Sequence, residues 1–298
     1  MGFPKNIFAK LLLCALVAHA QESPRTIVAI SATGGDYIKG AGGTLARFIA
    51  EGFQVYVIQV GNDEKYSLNL GPAETRLANN ADAIRAAKVL GVTEVINLNN
   101  KTGELSQLSS NELRNQLSTL IRFLKPQKLF LPDPFIHYDP EWDQFWTGRA
   151  AEETNYTNSA VFLPELARAG IKGHGVPETY YYSAHRPYRP GEGGHNNARL
   201  EAIDITRTLQ AKLAAAAELK TTNQTYAEHV RQRLAQAGKP AANVGESVVT
   251  DLVTELAQTI GARHHFSYGE EFNYHGAPPG TKQPLPSWIQ ERAKPLPK

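Results

Sequence analysis

Thr26-Ile-Val-Ala-Ile-Ser-Ala-Thr-Gly-Gly-Asp-Tyr-Ile-Lys-Gly-Ala-Gly-Gly-Thr-Leu45 is the stretch whose reading decides the fold. Ile27 to Ile30 is a short apolar, β-branched run, which suits a strand covered on both faces. Gly34 and Gly35 follow, and glycines there allow a positive φ or close approach of a partner. Leu45, Phe48 and Ile49 then recur at helical spacing up to Gly52. Strand, glycine-rich turn and helix in succession predict the first unit of an open parallel sheet. Ligands of such sheets gather outside the carboxyl ends of the strands, where Asp36 stands.

The same alternation continues outward. Val55 to Val60 reads as a second strand, with Gly61 to Glu64 a loop at its carboxyl end. Pro72 and Glu74 open a helix with Leu77, Ala81 and Ile84 on one face, stopping at Gly91. Glu94 to Leu98 is a third strand. Ser109 and Glu112 have capping-box spacing ahead of a Leu113, Leu117, Leu120, Leu124 stripe. Lys128 to Leu131 is a fourth strand, and Glu178 to Tyr182 a fifth. Ala202 to Ile205 is a short strand before an alanine-rich helix, and Leu252, Leu256 and Ile260 stripe a later helix. The fold expected is α/β and Rossmann-like, a parallel sheet with helices on both faces and a C-terminal helical extension. No internal repeat and no linker divides it. The domain spans residues 25–275, and a proline-rich tail over 276–298 reads as extended or disordered.

Of 298 residues, 42% are hydrophobic and 20% charged, and the net charge is +2. Nothing in that balance points to nucleic acid or to an anionic membrane surface. Residues 1–20 differ from the rest: Lys5 and Lys10 precede the apolar run Leu11 to Val17, and Ala18-His-Ala20 is a small-residue cleavage signal. The expectation is a signal peptide removed after Ala20, with no permanent membrane segment and a secreted or periplasmic product. Cys14 is the sole cysteine, so the mature chain has neither a disulfide nor thiolate chemistry.

A set of short motifs, in order, carries a resemblance over most of the mature chain. These are Gly42-Gly-Thr-Leu-Ala-Arg47, Glu51-Gly52, Leu90-Gly-Val92, Gly103-Glu-Leu105, Lys125-Pro126, Asp133-Pro134, Gly148-Arg149, Asp204-Ile205 and Lys212. In these the chain resembles the PIG-L/LmbE family of zinc-dependent N-deacetylases. The resemblance implies a Rossmann-like fold, a hydrolase that removes acetyl groups from N-acetylglucosamine-type sugars or similar amides, and zinc.

The family's signature at the first turn is Ala-His-Pro-Asp-Asp, whose His and second Asp bind zinc and whose first Asp is the general base. Here that place reads Ala32-Thr33-Gly34-Gly35-Asp36. Thr33 stands for the His and Gly35 for the base, and Asp36 alone is kept. The family's third zinc ligand falls on Gln144. Its substrate-side Arg falls on Asn79, with Arg76 one turn away. Neutral oxygens suit zinc poorly, and glycine cannot act as a base.

Two functions follow, one from each reading of these departures. One is a non-catalytic, carbohydrate-binding relative that keeps the pocket without the chemistry. The other is an amide hydrolase with a rebuilt site, in which Asp36, His137 and Asp143 hold zinc, manganese or iron. The cofactor is accordingly a divalent metal or none. Tyr138, Trp142, Phe145 and Trp146 crowd one acidic segment with Glu141. Rings beside carboxylates suit a sugar, or they anchor the loop into the core. Arg76, Tyr138, Glu141, Trp142, Arg149 and His185 are the candidate ligand contacts. Ser183 and His185 lack a nucleophile elbow. Arg186, Arg189, His195 and Asn196 lie in a polar loop that covers the site or is plain surface. The partner expected is a small molecule or carbohydrate. A homo-oligomer is compatible with the resemblance.

Overall fold

Ile27 and Ala29 pack on one face of strand β1 (Thr26–Ser31), Val28 and Ile30 on the other, and all four are fully buried. A strand buried on both sides must be central, and β1 pairs in parallel with two neighbours. The computed structural model describes residues 24–136, 141–156, 161–192, 199–276 and 287–292. Within them the other strands are β2 (Gln54–Gly61), β3 (Glu94–Asn100), β4 (Lys128–Pro132), β5 (Glu178–Tyr182), β6 (Arg199–Asp204) and β7 (Gly269–Gly276). Their order is β3-β2-β1-β4-β5-β7-β6. The first five are parallel, as expected. β7 is an addition: it runs antiparallel between β5 and β6 and makes the far edge mixed.

Helices cover both faces. On one face lie α1 (Asp36–Ala50), α2 (Pro72–Leu90) and α6 (Leu209–Ala217). The other carries α3 (Ser110–Leu124) and α4 (Trp142–Glu153), whose Leu113, Leu117, Ile121, Ala150 and Ala151 meet Val28, Ile58 and Leu131. Each fully buried Leu or Ile contributes about 1.5–3 kcal/mol by leaving water. On the first face Phe130 stacks on Tyr180 at 4.6 Å, and Phe272 closes edge-on at 5.5 Å. The expected C-terminal extension is α6, α7 (Lys220–Gln236) and α8 (Ser247–Arg263), and it docks back on the domain rather than standing apart. Among the described residues no helix is long and apolar enough to cross a membrane. The short helices α5 (Pro164–Arg168) and α9 (Ser287–Arg292) complete the described set, α9 lying inside the tail expected to be extended.

Three local expectations change. Ser109 does cap α3, but with its carbonyl, which accepts from Glu112 and Leu113; no side-chain cap forms. On α2, Leu77 and Ile84 share a face yet are 65% and 52% exposed. The buried face instead carries Thr75, Asn79 and Asp82, because Asp82 caps the start of α7 through Thr221 N at 2.7 Å and Asn79 accepts from Thr222 Oγ1 at 3.0 Å. Finally, Gly34 and Gly35 do not need a positive φ: Gly35 sits at −115°. Their glycine character serves close approach. A Cβ at Gly34 would stand 2.9 Å from Ala83 Cβ, and one at Gly35 2.8 Å from Leu219 Cδ1.

The strand order reverses at β1, since the chain moves from β1 to β2 and β3 on one side and returns through β4 to the other. The crevice between the carboxyl ends of β1 and β4 is therefore the switch point at which ligands of such sheets bind.

Candidate functional site

Asp36 opens α1 beside that crevice and is fully buried. Its Oδ2 accepts from Thr33 N at 3.0 Å. Its Oδ1 has no hydrogen bond, and the nearest charge is Lys39 Nζ at 3.4 Å, one helical turn on. Burial alone would push the Lys39 ammonium towards neutrality. Asp36, Glu141 and Asp63 together outweigh it, so the group titrates above its ordinary range and stays charged.

Asp63 comes from the loop after β2. It is buried and left-handed, with φ 56°, a conformation Asp tolerates better than bulkier residues. Its backbone is held at both ends: Asp63 N donates to Thr102 Oγ1 at 2.8 Å, and Asn79 Nδ2 donates to its carbonyl at 2.9 Å. Asp63 Oδ2 accepts from Gly34 N at 2.8 Å and Gln59 Nε2 at 3.0 Å, while Oδ1 has no partner. Burial first, with Asp36 and Glu141 adding repulsion, pushes its carboxyl up to about 8 against the pull of Gly34 N and Lys39. At neutral pH it is mainly a neutral acid.

α4 supplies the opposite wall. Gln144 is buried, and its Nε2 lies 2.9 Å from His185 Nε2. An amide nitrogen only donates, so His185 Nε2 accepts and the ring proton sits on Nδ1. Burial, then the Lys39 charge, lowers His185 to about 4, and the ring is neutral at physiological pH. Glu141 Oε2 accepts from Tyr66 OH at 2.7 Å. Trp142 at the rim is 72% exposed and meets Phe145 edge-on at 6.3 Å.

The structure thus brings together Asp36, Gln144, His185 and Glu141, with Thr33 and Gly35 beneath them. It uses others differently. Asp143 Oδ2 accepts from Gly103 N at 2.5 Å, and burial raises its pKa. It ties α4 to the loop after β3. Arg149 points outward into ion pairs with Glu152 at 3.3 Å and Glu153 at 3.5 Å, because it lies on the solvent side of α4. Arg76 is partly exposed on α2, while Asn79 holds the Asp63 loop. Arg186 pairs with Glu192 at the rim. His137, Tyr138, His195 and Asn196 lie outside the described residues. Lys39, Asp63, Tyr66 and Leu219 were not singled out by sequence. The signal for Lys39 was its i+3 spacing from Asp36, and for Asp63 its place just beyond β2.

Among the described residues, those at the family's zinc places do not fit a catalytic zinc, and His137, the imidazole expected of a rebuilt site, lies outside them. Thr33 Oγ1 accepts from Gly35 N at 3.3 Å, Gln144 is spent on His185, and Asp36 faces an ammonium. Among the described residues no three His, Cys, Asp or Glu stand close enough to hold a metal. At Gly35, the position of the family's base, Leu219 fills the space a side chain would need. What remains is a polar cluster of neutral imidazole, amide, protonated Asp63, the Asp36 and Glu141 carboxylates and one ammonium, with hydrogen-bond donors and acceptors suited to hydroxyls and amides.

Residues 28–143 match the model of the family described as GlcNAc-PI de-N-acetylase, PIG-L. A diacetylchitobiose deacetylase of Thermococcus kodakarensis is 23% identical over 179 residues, which are 59% of this chain and 62% of that protein. The chain thus matches less than two thirds of the length of that curated relative. Among solved structures, N,N'-diacetylchitobiose deacetylase from Pyrococcus horikoshii, complexed with an inhibitor, superposes with a TM-score of 0.68 at 20% identity, covering 92% of this chain and 94% of that one. The 4-carboxy-2-hydroxymuconate hydratase GalB from Pseudomonas putida gives 0.63 at 18%, over 88% and 100%. The zinc-inhibited form of teicoplanin deacetylase Orf2 gives 0.57 at 14%, over 86% and 100%. At these identities the superpositions establish the α/β fold.

Proposed function

With residues 28–143 a PIG-L family domain, we propose that this chain is an exported carbohydrate-binding relative of the deacetylases, holding an N-acetylated sugar in the β1–β4 crevice without zinc-dependent deacetylation. The observation that carries the reading is the first turn. Thr33 and Gly35 replace the family's His and base, and Leu219 occupies the room a base would take. A general base is worth roughly 100- to 10,000-fold in rate, so its replacement by glycine removes most of the family's chemistry. That the same fold occurs in a hydratase agrees with a site whose chemistry has moved.

The ligand class follows from the rim. Trp142 presents an exposed ring beside Glu141, and His185, Gln144 and Lys39 line the floor. Aromatic rings pack on the apolar faces of sugars, and the polar floor serves hydroxyls and the acetamido group. The reading of residues 1–20 as a signal peptide supports a binding site outside the cytoplasm.

The test is calorimetric titration of the mature chain with N-acetylglucosamine and diacetylchitobiose, alongside an acetate-release assay after loading with zinc. Saturable binding, weakened at least tenfold by Trp142→Ala, with no acetate released, supports the reading. Turnover by the zinc-loaded protein would overturn its non-catalytic part, and absence of any sugar binding its ligand class. Intact mass of the exported chain, expected to begin at Gln21, tests the leader.

A further inference from the structure

The disagreement between this donor set and a zinc ion leads to a specific assignment. We infer that Lys39 is the resident cation of the site: its side-chain ammonium stands in for the metal ion and keeps divalent metals out. The inference takes the same crevice as its site but does not depend on what sugar binds there.

Asp36 and Lys39 lie three residues apart on α1, so both side chains leave the same face of the helix. The ammonium reaches Asp36 Oδ1 at 3.4 Å, and that oxygen has no hydrogen-bond donor. Glu141 adds a second carboxylate within electrostatic reach of Lys39. A buried carboxylate oxygen with no hydrogen-bond donor, as at Asp36, requires a cation beside it. In this chain it is supplied covalently, 21% exposed and tethered one turn from Asp36.

The surrounding polar groups agree with a lysine and not with a metal. Thr33 and Gln144 have turned to partners within the protein, Gly35 N and His185. A divalent ion seated on Asp36 would lie within a few ångströms of the ammonium and be repelled by it. A lysine, unlike zinc, has no open coordination place and does not acidify a water, but it donates hydrogen bonds to a ligand oxygen.

The experiment is metal titration of the full mature chain with zinc and with manganese, read by equilibrium dialysis and elemental analysis. Wild type is expected to take up no stoichiometric ion. Lys39→Met, which keeps the stem and removes the charge, is expected to bind one ion on the order of 100-fold more tightly than wild type. Adding Asp36→Asn to that variant should abolish the gain. Lys39→Arg should fold and stay metal-free. If Lys39→Met does not fold while Lys39→Arg does, the need for a fixed positive charge is supported directly. One equivalent of zinc on wild type overturns the inference, as does a folded Lys39→Met that binds no more tightly than wild type. Loss of sugar binding with these metal results unchanged would sink the proposed function alone.

Discussion

Gln144 Nε2 lies 2.9 Å from His185 Nε2, joining α4 to the loop after β5 across the mouth of the crevice. Because Gln144 is neutral, nothing in the pair favours the imidazolium, and burial lowers His185 to about 4. Gln144→Glu places a carboxylate there and should raise the His185 midpoint by at least about one unit, read by NMR titration of the ring. The folded value lies below the unfolded 6.5. The neutral ring's contribution to stability is therefore fully present above pH ~6.5 and lost as pH falls towards 4. Denaturant unfolding at pH 7 and pH 5 should show that loss, and His185→Gln should reduce it.

Restoring the family's base should fail. Gly35→Asp puts a Cβ 2.8 Å from Leu219 Cδ1, so the end of that side chain must shift to admit it. Overpacking of this kind costs about 1–3 kcal/mol. We expect a lower melting temperature and no acetate release. Leu219→Ala in the same chain should recover part of the lost stability, because the two residues are in contact. Independent, additive effects would show that Leu219 does not close the position.

The parallel core was legible because burial on both faces leaves a continuous apolar run at Ile27 to Ile30 and because helices are stopped by Gly91 and Pro126. The face of α2 was not. Leu77 and Ile84 form a clean stripe, yet capping demands from α7 turned Asn79 and Asp82 inward, and such demands involve residues more than a hundred positions away. β7 was missed for a related reason. Gly269-Glu-Glu-Phe-Asn-Tyr-His-Gly276 is polar, but Glu270 and Glu271 are buried by partners in α1, α6 and the loop carrying Tyr188. At the site, Asp36 was visible from its motif, whereas Lys39 and Asp63 gain meaning only when two loops and a helix meet.

Asp63 should make stability fall with pH. Its folded pKa of about 8 exceeds the unfolded 3.8, so the folded state holds a proton the unfolded state has lost between those values. Stability from this group is fully present below pH ~4 and lost as pH rises towards 8, at up to about 1.4 kcal/mol per unit. The groups facing it are Asp36, Lys39 and Glu141. Asparagine tolerates the left-handed backbone and can still accept from Gly34 N. Relative to wild type, Asp63→Asn should therefore gain stability between pH 5 and pH 8 in urea unfolding. A constant difference across that range would mean Asp63 is ionised throughout.

Glu270 holds the middle of α1. Its Oε1 accepts from Gly43 N at 2.9 Å and from Lys212 Nζ at 2.7 Å, and its Oε2 accepts from Thr44 N at 2.7 Å. Both charged side chains are essentially buried. Glu270→Ala would strand the Lys212 ammonium in the core and remove the acceptor that ties Gly43 N and Thr44 N to β7, at a cost of about 3–5 kcal/mol. In Lys212→Met with Glu270→Gln the stranded charge is gone and an acceptor for α1 remains, so the double variant should be more stable than Glu270→Ala. Denaturant midpoints of the two proteins decide it. If the double variant is the weaker, the carboxylate is needed for more than neutralising Lys212, and its grip on the α1 backbone carries the larger share.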